Sequence, residues 1–303
     1  MMNRKMKSAQ LLNRNIDLLK CPICAESFQV VEMKSLICKQ GHTFDLAKQG
    51  YVNFATRPIH THYGKSLFEA RQKIIVTHKF FDPLVHHLTT SIGTLSEPSD
   101  HHRSLLDLGC GEGSLLAAIC NNLYKNDSLS VVGCGIDLAK EGIQLASKHY
   151  PDQMWFVGDL AQPVFENHQF DFILNILSPS NYQVVNQLLK PGGHIIKVIP
   201  GSHYLQELRS FFYGEEKNVY SNTDIKALFM KHYPKTRSKR ITYDIKLNQE
   251  GVNEILQMTP LAWTATRDQC EQWLEKSSAK ITADFEILIG EMNGHDSSKL
   301  LIN

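Results

Sequence analysis

The chain has 303 residues, 42% of them hydrophobic and 21% charged, with a formal net charge of +1. Such a length holds a full-sized core plus one small accessory module, and the composition is that of an ordinary globular protein. No window approaches the ~18 apolar residues of a membrane span, and residues 1–20 lack the compact apolar stretch of a signal peptide, so the expected location is cytoplasmic, with no membrane partner. The net charge hides an asymmetry: residues 1–104 carry 14 Lys/Arg against 8 Asp/Glu, and the remainder 18 against 23. A basic N-terminal part on a mildly acidic body suits a phosphate-backbone ligand.

Residues 1–18 read as an extension. Two residues then separate Cys21 from Cys24, thirteen separate Cys24 from Cys38, and three separate Cys38 from His42. Zinc in structural sites takes four such ligands tetrahedrally, and Cys3His is a standard set. The seven cysteines are odd in number, which disfavours a disulfide framework. Gly41 supplies the permissive backbone of the second knuckle, and 27–31 and 35–37 read as short strands between the two ligand pairs. The expectation is a zinc ribbon with one structural Zn2+ per chain, closed to substrate because four protein ligands leave no open position.

Residues 55–64 hold Arg57, Pro58, His60, His62, Tyr63 and Gly64 without apolar periodicity, a basic and aromatic loop. Helical spacing follows from Ser66 to about Ile92, with a break expected at Pro83. A polar boundary over 96–102 opens a region in which strands and helices alternate. Strands are expected at 105–108, 131–136, 155–157, 170–176 and 194–199, with helices at 115–123, 141–150 and 183–189 between them. Two more strand-like stretches cover 239–247 and 280–289. This alternation argues for an α/β fold with a mostly parallel, doubly wound sheet.

Between the first strand and the first helix of that region lies Asp107-Leu108-Gly109-Cys110-Gly111-Glu112-Gly113-Ser114. Ligands of open α/β sheets bind at the carboxyl ends of the strands, and alternating glycines let backbone approach a ligand where a Cβ would collide. The second strand ends in Asp137, placed to take both hydroxyls of a ribose. Asp159, after the third strand, is placed to meet an adenine amino group, with Leu160 and Phe156 as nearby apolar surface. No P-loop lysine follows the glycines, so a phosphate cradle is not supported.

This arrangement, with the Lys190-Pro191-Gly192-Gly193 turn before the fifth strand, resembles the class I S-adenosylmethionine-dependent methyltransferases of Rossmann-like fold. The resemblance assigns donor binding to Asp107, Gly109, Gly111, Glu112, Gly113, Asp137, Asp159 and Leu160. Three further segments narrow it: residues 48–53 (Lys-Gln-Gly-Tyr-Val-Asn), Leu177-Ser178-Pro179, and Gln257-Met258-Thr259-Pro260-Leu261-Ala262-Trp263. With the zinc ribbon they make the chain similar to the bacterial 23S rRNA (guanine-N1-)-methyltransferases of the RlmA/RrmA type. That likeness runs from about Leu19 to about Gly290; the 1–18 extension and the segment from Asp296 depart from it. It implies an extension at 1–18, a zinc-ribbon RNA-recognition domain at 19–60, a helical linker at 61–100 and a methyltransferase domain at 101–303. It also implies a homodimer and a 23S rRNA hairpin as partner.

Methyl transfer to guanine N1 is an in-line displacement that also requires the N1 proton to leave, so positioning matters most. Asn175, Ser178 and Pro179 fall at the end of the fourth strand, where this fold presents the acceptor atom. Asn175 cannot take a proton at neutral pH, so the sequence does not identify the base. His203 and Glu207, after the fifth strand, are further candidates, and Asp107 is expected chiefly to fix the glycine loop. Arg57, His60, His62 and Tyr63 are the expected RNA contacts. Phe44, Tyr51 and Phe54 either join them or pack the ribbon on the body, and Trp263 is core or pocket wall. Cys110, Cys120, Cys134 and Cys270 read as small buried apolar residues. Two other functions stay open: a small-molecule methyltransferase whose ribbon serves dimerisation, and a catalytically inactive zinc-ribbon nucleic-acid-binding protein.

Overall fold

Four short strands follow the N-terminal helix α1 (Arg4–Arg14): β1 (Phe28–Val31), β2 (Ser35–Cys38), β3 (Thr43–Asp45) and β4 (Val52–Asn53). They belong to a computed structural model that describes residues 3–57, 63–96, 102–127, 129–162, 164–214 and 221–292. The first three make the antiparallel ribbon, one strand more than its sequence suggests. Two helices come next, α2 (Lys65–Val76) and α3 (Asp82–Leu95). Pro83 lies in the first turn of α3, where its missing N–H costs nothing, so it opens the second helix.

The β/α region is β5 (Arg103–Leu108), α4 (Ser114–Asp127), β6 (Val131–Asp137), α5 (Lys140–His149), β7 (Met154–Val157), β8 (Phe170–Ile176), α6 (Tyr182–Leu188) and β9 (Leu189–Pro200). It ends in α7 (Gln206–Tyr213), α8 (Thr223–His232), β10 (Arg237–Asn248), α9 (Gln249–Met258), α10 (Arg267–Leu274) and β11 (Ser278–Glu291). Local sequence sets several starts: Asn181 and Asn248 cap α6 and α9 with their side chains, and Thr266 with Gln269 forms a capping box on α10.

Eight strands pair in the order β10-β11-β9-β8-β5-β6-β7-β4. The strands from β9 to β4 run parallel, and β11 and β10 close one edge antiparallel. Central β5 is buried along nearly its whole length, as a strand covered on both faces must be. One core face packs α2, α3, α4 and α9; the other packs α1, the ribbon, α6 and α8.

The ribbon is sewn into this body. β4 pairs with β7 through Val52↔Phe156 and Asn53↔Val157, and Leu19 bridges Phe165. Helix α1 buries Ser8, Ala9 and Leu12, and at Gly50 (φ +103°) a Cβ would lie 2.2 Å from Ser8 Oγ. Rings run on from the ribbon: Phe28–Phe54 at 5.9 Å, Phe54–Phe156 at 5.7 Å and Phe156–Phe165 at 5.5 Å. Tyr51 and Phe54 are buried and Phe44 packs on Phe28 and Phe54, so these three are packing residues. Among the described residues no helix is long and apolar enough to cross a membrane.

Candidate functional site

The ligand atoms of Cys21, Cys24, Cys38 and His42 lie within 4.8 Å of one another. Cys24 Sγ is 3.6 Å from Cys38 Sγ and 3.3 Å from His42 Nδ1. Zinc with Zn–S bonds of about 2.3 Å has tetrahedral edges of roughly 3.8 Å, so the set fits that ion and is too wide for S–S bonds. The turn at Gly41 (φ +83°) returns the chain so that His42 faces the cysteines. The protein therefore holds one structural zinc.

At the carboxyl end of β5, Gly109, Gly111 and Gly113 all have positive φ (+82°, +58° and +79°). A Cβ on Gly109 would sit 2.1 Å from Ser178 Oγ, and one on Gly113 2.4 Å from the Trp155 ring, so only glycine allows the loop to lie this close to its neighbours. Asp137 holds the loop in place: its Oδ2 accepts from Gly111 N and its Oδ1 from Ala139 N, each at 2.8 Å. Fixing the loop was the role expected of Asp107, and it falls to Asp137 because the end of β6 reaches the N–H of Gly111. Asp107 is instead 2% exposed, with Oδ1 unpartnered among the described residues. Burial pushes its carboxyl up to about 7, against the opposing charge of Arg71, and Asp137 and Glu112 add to the rise. Glu112, 1% exposed, pairs with Arg71 Nε at 2.9 Å and leaves Oε1 without a hydrogen bond among the described residues. Arg71 is a site residue that the sequence reading missed. Its signal was a charge among the buried positions 67, 68, 70, 74 and 75 of α2.

Asn53, Arg57, Leu138, Lys140 and Val157 line much of a cavity of about 370 Å³ at the ends of β4, β6 and β7. Arg57 is exposed and lines this cavity together with Leu138, the residue after Asp137. Asp159 is exposed and its Oδ1 accepts from Ala161 N at 2.8 Å, while Leu160 is half-buried. Phe156, expected as adenine-facing surface, is fully buried and stacks on Phe54; β4 covers it, which the ribbon's sequence does not announce. His60 and His62 lie outside the described residues, and Tyr63 is 42% exposed.

The acceptor candidates divide. Asn175 is 1% exposed, and its amide donates to Leu108 O at 3.1 Å and Pro179 O at 3.0 Å. Its Oδ1 accepts from Ser180 Oγ at 2.7 Å and from Lys197 Nζ at 2.6 Å. Both of its donors and both of its acceptor sites are taken, so Asn175 braces the loop and has no bond left for a substrate. Lys197 Nζ also donates to Ser178 O at 3.1 Å and Ser180 Oγ at 2.6 Å. This lysine is 4% exposed with no carboxylate bound to it among the described residues, and burial pushes its ammonium down to about 8. Leu177 enters the braced loop in the left-handed region (φ +53°). Ser178 Oγ stays against Gly109, so the loop and the glycine turn meet. Lys197 was also missed; its mark was one charge inside the apolar run 195–199.

His203 belongs to another group. Its N–H donates to Asp284 Oδ2 at 2.8 Å, and the fully buried Asp284 also holds Arg240 and Thr242. Glu207 is spent on Thr282, accepting from its backbone N at 2.9 Å and its hydroxyl at 2.5 Å; it ties α7 to β11. Cys110, Cys120 and Cys134 are buried, whereas Cys270 is partly exposed.

Comparison with known proteins gives the family. A family model described as "RlmA, N-terminal" matches residues 19–59, and one described as "Methyltransferase domain" matches residues 105–193. The Bacillus subtilis protein YxjB, provisionally named a 23S rRNA (guanine-N(1)-)-methyltransferase, is 45% identical over 92% of this chain and 99% of its own length. The 23S rRNA (guanine(748)-N(1))-methyltransferase of Streptomyces fradiae is 23% identical over 83% of this chain and 88% of that one. The solved Haemonchus contortus phosphoethanolamine N-methyltransferase 2 with S-adenosyl-L-methionine matches 77% of this chain and 58% of that one, with TM-score 0.46 and 12% identity. Identity sustained along the whole of the Bacillus protein reaches well past a shared donor-binding domain, and the chain belongs to the RlmA-type 23S rRNA (guanine-N1-)-methyltransferase family.

Proposed function

We propose that this protein transfers the methyl group of S-adenosylmethionine to N1 of a guanine in a hairpin of 23S rRNA. The observation that carries the reading is the contact of two loops. The glycine turn, stapled by Asp137, lies against Ser178 of a loop braced by Asn175 and Lys197. A donor held over the first and an acceptor held by the second are neighbours, and proximity is most of what a displacement at carbon needs. The guanine and the rRNA come from what the two named relatives act on.

The residues fit the donor. Among the described residues Asp107 Oδ1 and Glu112 Oε1 are buried acceptors without hydrogen bonds, which suits a ligand carrying an ammonium, and Arg71 beside them suits its carboxylate. Asp137 and Asp159 stand at the ribose and adenine end, with Gly109, Gly111, Gly113 and Leu160 as the backbone and apolar lining. The donor supplies an activated methyl: the N1–CH3 bond forms as the S–CH3 bond breaks, and the N1 proton leaves. Asn175 has no free site and Lys197 donates three times, so we infer that the proton passes to solvent rather than to the acceptor loop. Arg57, Tyr63, His60 and His62 are proposed RNA contacts. A cytoplasmic homodimer completes the proposal, supported by a thiolate zinc set that requires a reducing compartment and by the family resemblance.

The test is transfer of labelled methyl from S-adenosylmethionine to unmodified 23S rRNA, mapped by primer extension. N1 methylation blocks base pairing, so one stop within a hairpin is expected. Donor binding without a stop on naked rRNA or on ribosomal particles would refute the acceptor.

A further inference from the structure

Large aromatic side chains at a surface call for a reason, and the segment ending in Trp263 presents one. Trp263 is 50% exposed, whereas Trp155 and Trp273 are each 2% exposed. Its ring centroid lies 5.6 Å from that of Tyr63, which is 42% exposed. Tyr63 in turn lies 6.4 Å from Phe68, and Phe68 Cε1 is 3.4 Å from where a Gly111 Cβ would be. A continuous row of rings therefore leads from solvent to the donor loop. The outer ring stands on a firm shelf. Thr259 Oγ1 accepts from Leu261 N at 3.3 Å, Tyr213 donates its hydroxyl to Leu261 O at 2.7 Å, and Trp263 N donates to Pro260 O at 3.0 Å.

We propose that Trp263, with Tyr63 beside it, is the platform on which the acceptor guanine stacks, an inference that rests on the guanine-N1 reading above. An enzyme acting on a base must take it out of its stack and hold it, and splayed RNA bases are held on aromatic faces. Stacking occupies the face of guanine and leaves its Watson–Crick edge, which carries N1, free to meet the donor. The area argues for a base rather than a second copy of the chain. Two half-exposed rings offer roughly 200 Å², against the ~800 Å² per partner of a standard stable interface.

The experiment uses the full zinc-loaded chain and an unmodified 23S hairpin transcript. Trp263→Ala is expected to lower kcat/KM for methyl transfer by about 5- to 150-fold, the range for losing one base-stacking contact. Affinity for S-adenosylhomocysteine, measured by calorimetry, stays at the wild-type value, and Trp263→Phe restores most of the transfer. Because the other two tryptophans are buried, acrylamide-accessible emission reports Trp263, and the hairpin is expected to shield it. Equal transfer by wild type and Trp263→Ala would overturn the platform. Shielding on concentration of the protein without RNA would also overturn it and assign the rings to a contact between copies. Parallel loss of S-adenosylhomocysteine affinity in both variants would overturn it by making the ring a wall of the donor pocket. Absence of transfer by the wild-type chain would instead remove the guanine-N1 reading, and the platform with it.

Discussion

Replacing Lys197 by Met tests whether the buried ammonium braces the acceptor loop for catalysis or merely fills space. Its three donations hold Asn175 Oδ1, Ser178 O and Ser180 Oγ. After the change Asn175 Oδ1 keeps Ser180, but Ser178 O loses the partner that Lys197 supplied. A fully buried carbonyl left unpaired costs about 1–3 kcal/mol, and the half-buried Ser178 sets the expectation toward the lower end. Removing a desolvated charge offsets part of that, so the net loss is expected to stay below about 2 kcal/mol, a fall in Tm of roughly 5 °C. The rate responds more strongly, because a misplacement of about 1 Å can cost on the order of 100-fold. Lys197→Met should therefore lower kcat about 10- to 100-fold while leaving donor affinity and KM for RNA within about twofold.

The pH profile gives an independent reading. Folding lowers the Lys197 pKa from 10.5 to about 8. Below pH 8 both states hold the proton and the cost of burying the charge is fully present; between 8 and 10.5 the unfolded state holds more protons, so stability rises with pH. Activity moves the other way, since a neutral amine has only two N–H groups for three acceptors. Tyr182 and Tyr233 on the same core face are pushed up by burial and do not titrate at the start of this window. Single-turnover rates from pH 7 to 9.5 should show a decline above pH 8 in the wild type that Lys197→Met lacks. Wild-type kcat in the variant, or an unchanged alkaline decline, would refute the bracing role.

Asp137→Asn removes the charge from one hydrogen bond to the glycine turn, at Gly111 N, and one to Ala139 N, each worth about 1.5–3 kcal/mol when charge-assisted, and should weaken S-adenosylhomocysteine binding at least about tenfold by calorimetry. Zinc should measure one per chain, and chelation should lower the Tm of the whole protein in one transition, because the ribbon's rings continue into the body; a separate low-temperature step would contradict that continuity. Folding raises the Asp107 pKa from 3.8 to about 7, so the folded state holds the extra proton between those values and stability falls as pH rises through them. Asp107→Asn should abolish that decline in thermal unfolding at pH 5 and 7.5 while weakening donor binding.

What the sequence disclosed and what it hid divide along one line. The zinc set and the glycine turn were legible because each is local: ligand type and spacing determine the knuckles, and strand, turn and helix follow one another without interruption. Asn175 and Glu207 were misjudged because a side chain's identity shows what it can bond but not whether those bonds are already spent. Phe156 was misjudged because its cover, β4, arrives from about a hundred residues earlier. Arg71 and Lys197 matter through burial beside partners distant in sequence. Each nevertheless left a trace, a charge inside an apolar pattern, and buried charges are rare unless paired or functional. The pair differs in a useful way: among the described residues Arg71 meets a carboxylate, whereas Lys197 meets only neutral oxygens.

The attachment of the ribbon bears on how one guanine could be chosen. A module on a flexible tether would sample many positions relative to the donor, and its contribution would be an effective concentration set by the linker. Here the ribbon enters through the Leu19–Phe165 bridge and leaves through β4, the edge strand beside β7. Helix α1 lies across its exit, close enough at Ser8 to require glycine at position 50. Ribbon and body share one core face, so swinging the ribbon would expose Phe28, Phe54 and Phe156 together. Burying a side chain of that size is worth about 1.5–3 kcal/mol, and a hinge motion that loses three of them is disfavoured at equilibrium. On the proposal that the ribbon grips the RNA hairpin, the hairpin would be presented at one fixed distance from Asp137 and Ser178, and selection between neighbouring guanines would be a matter of length along the RNA rather than of reading base identity.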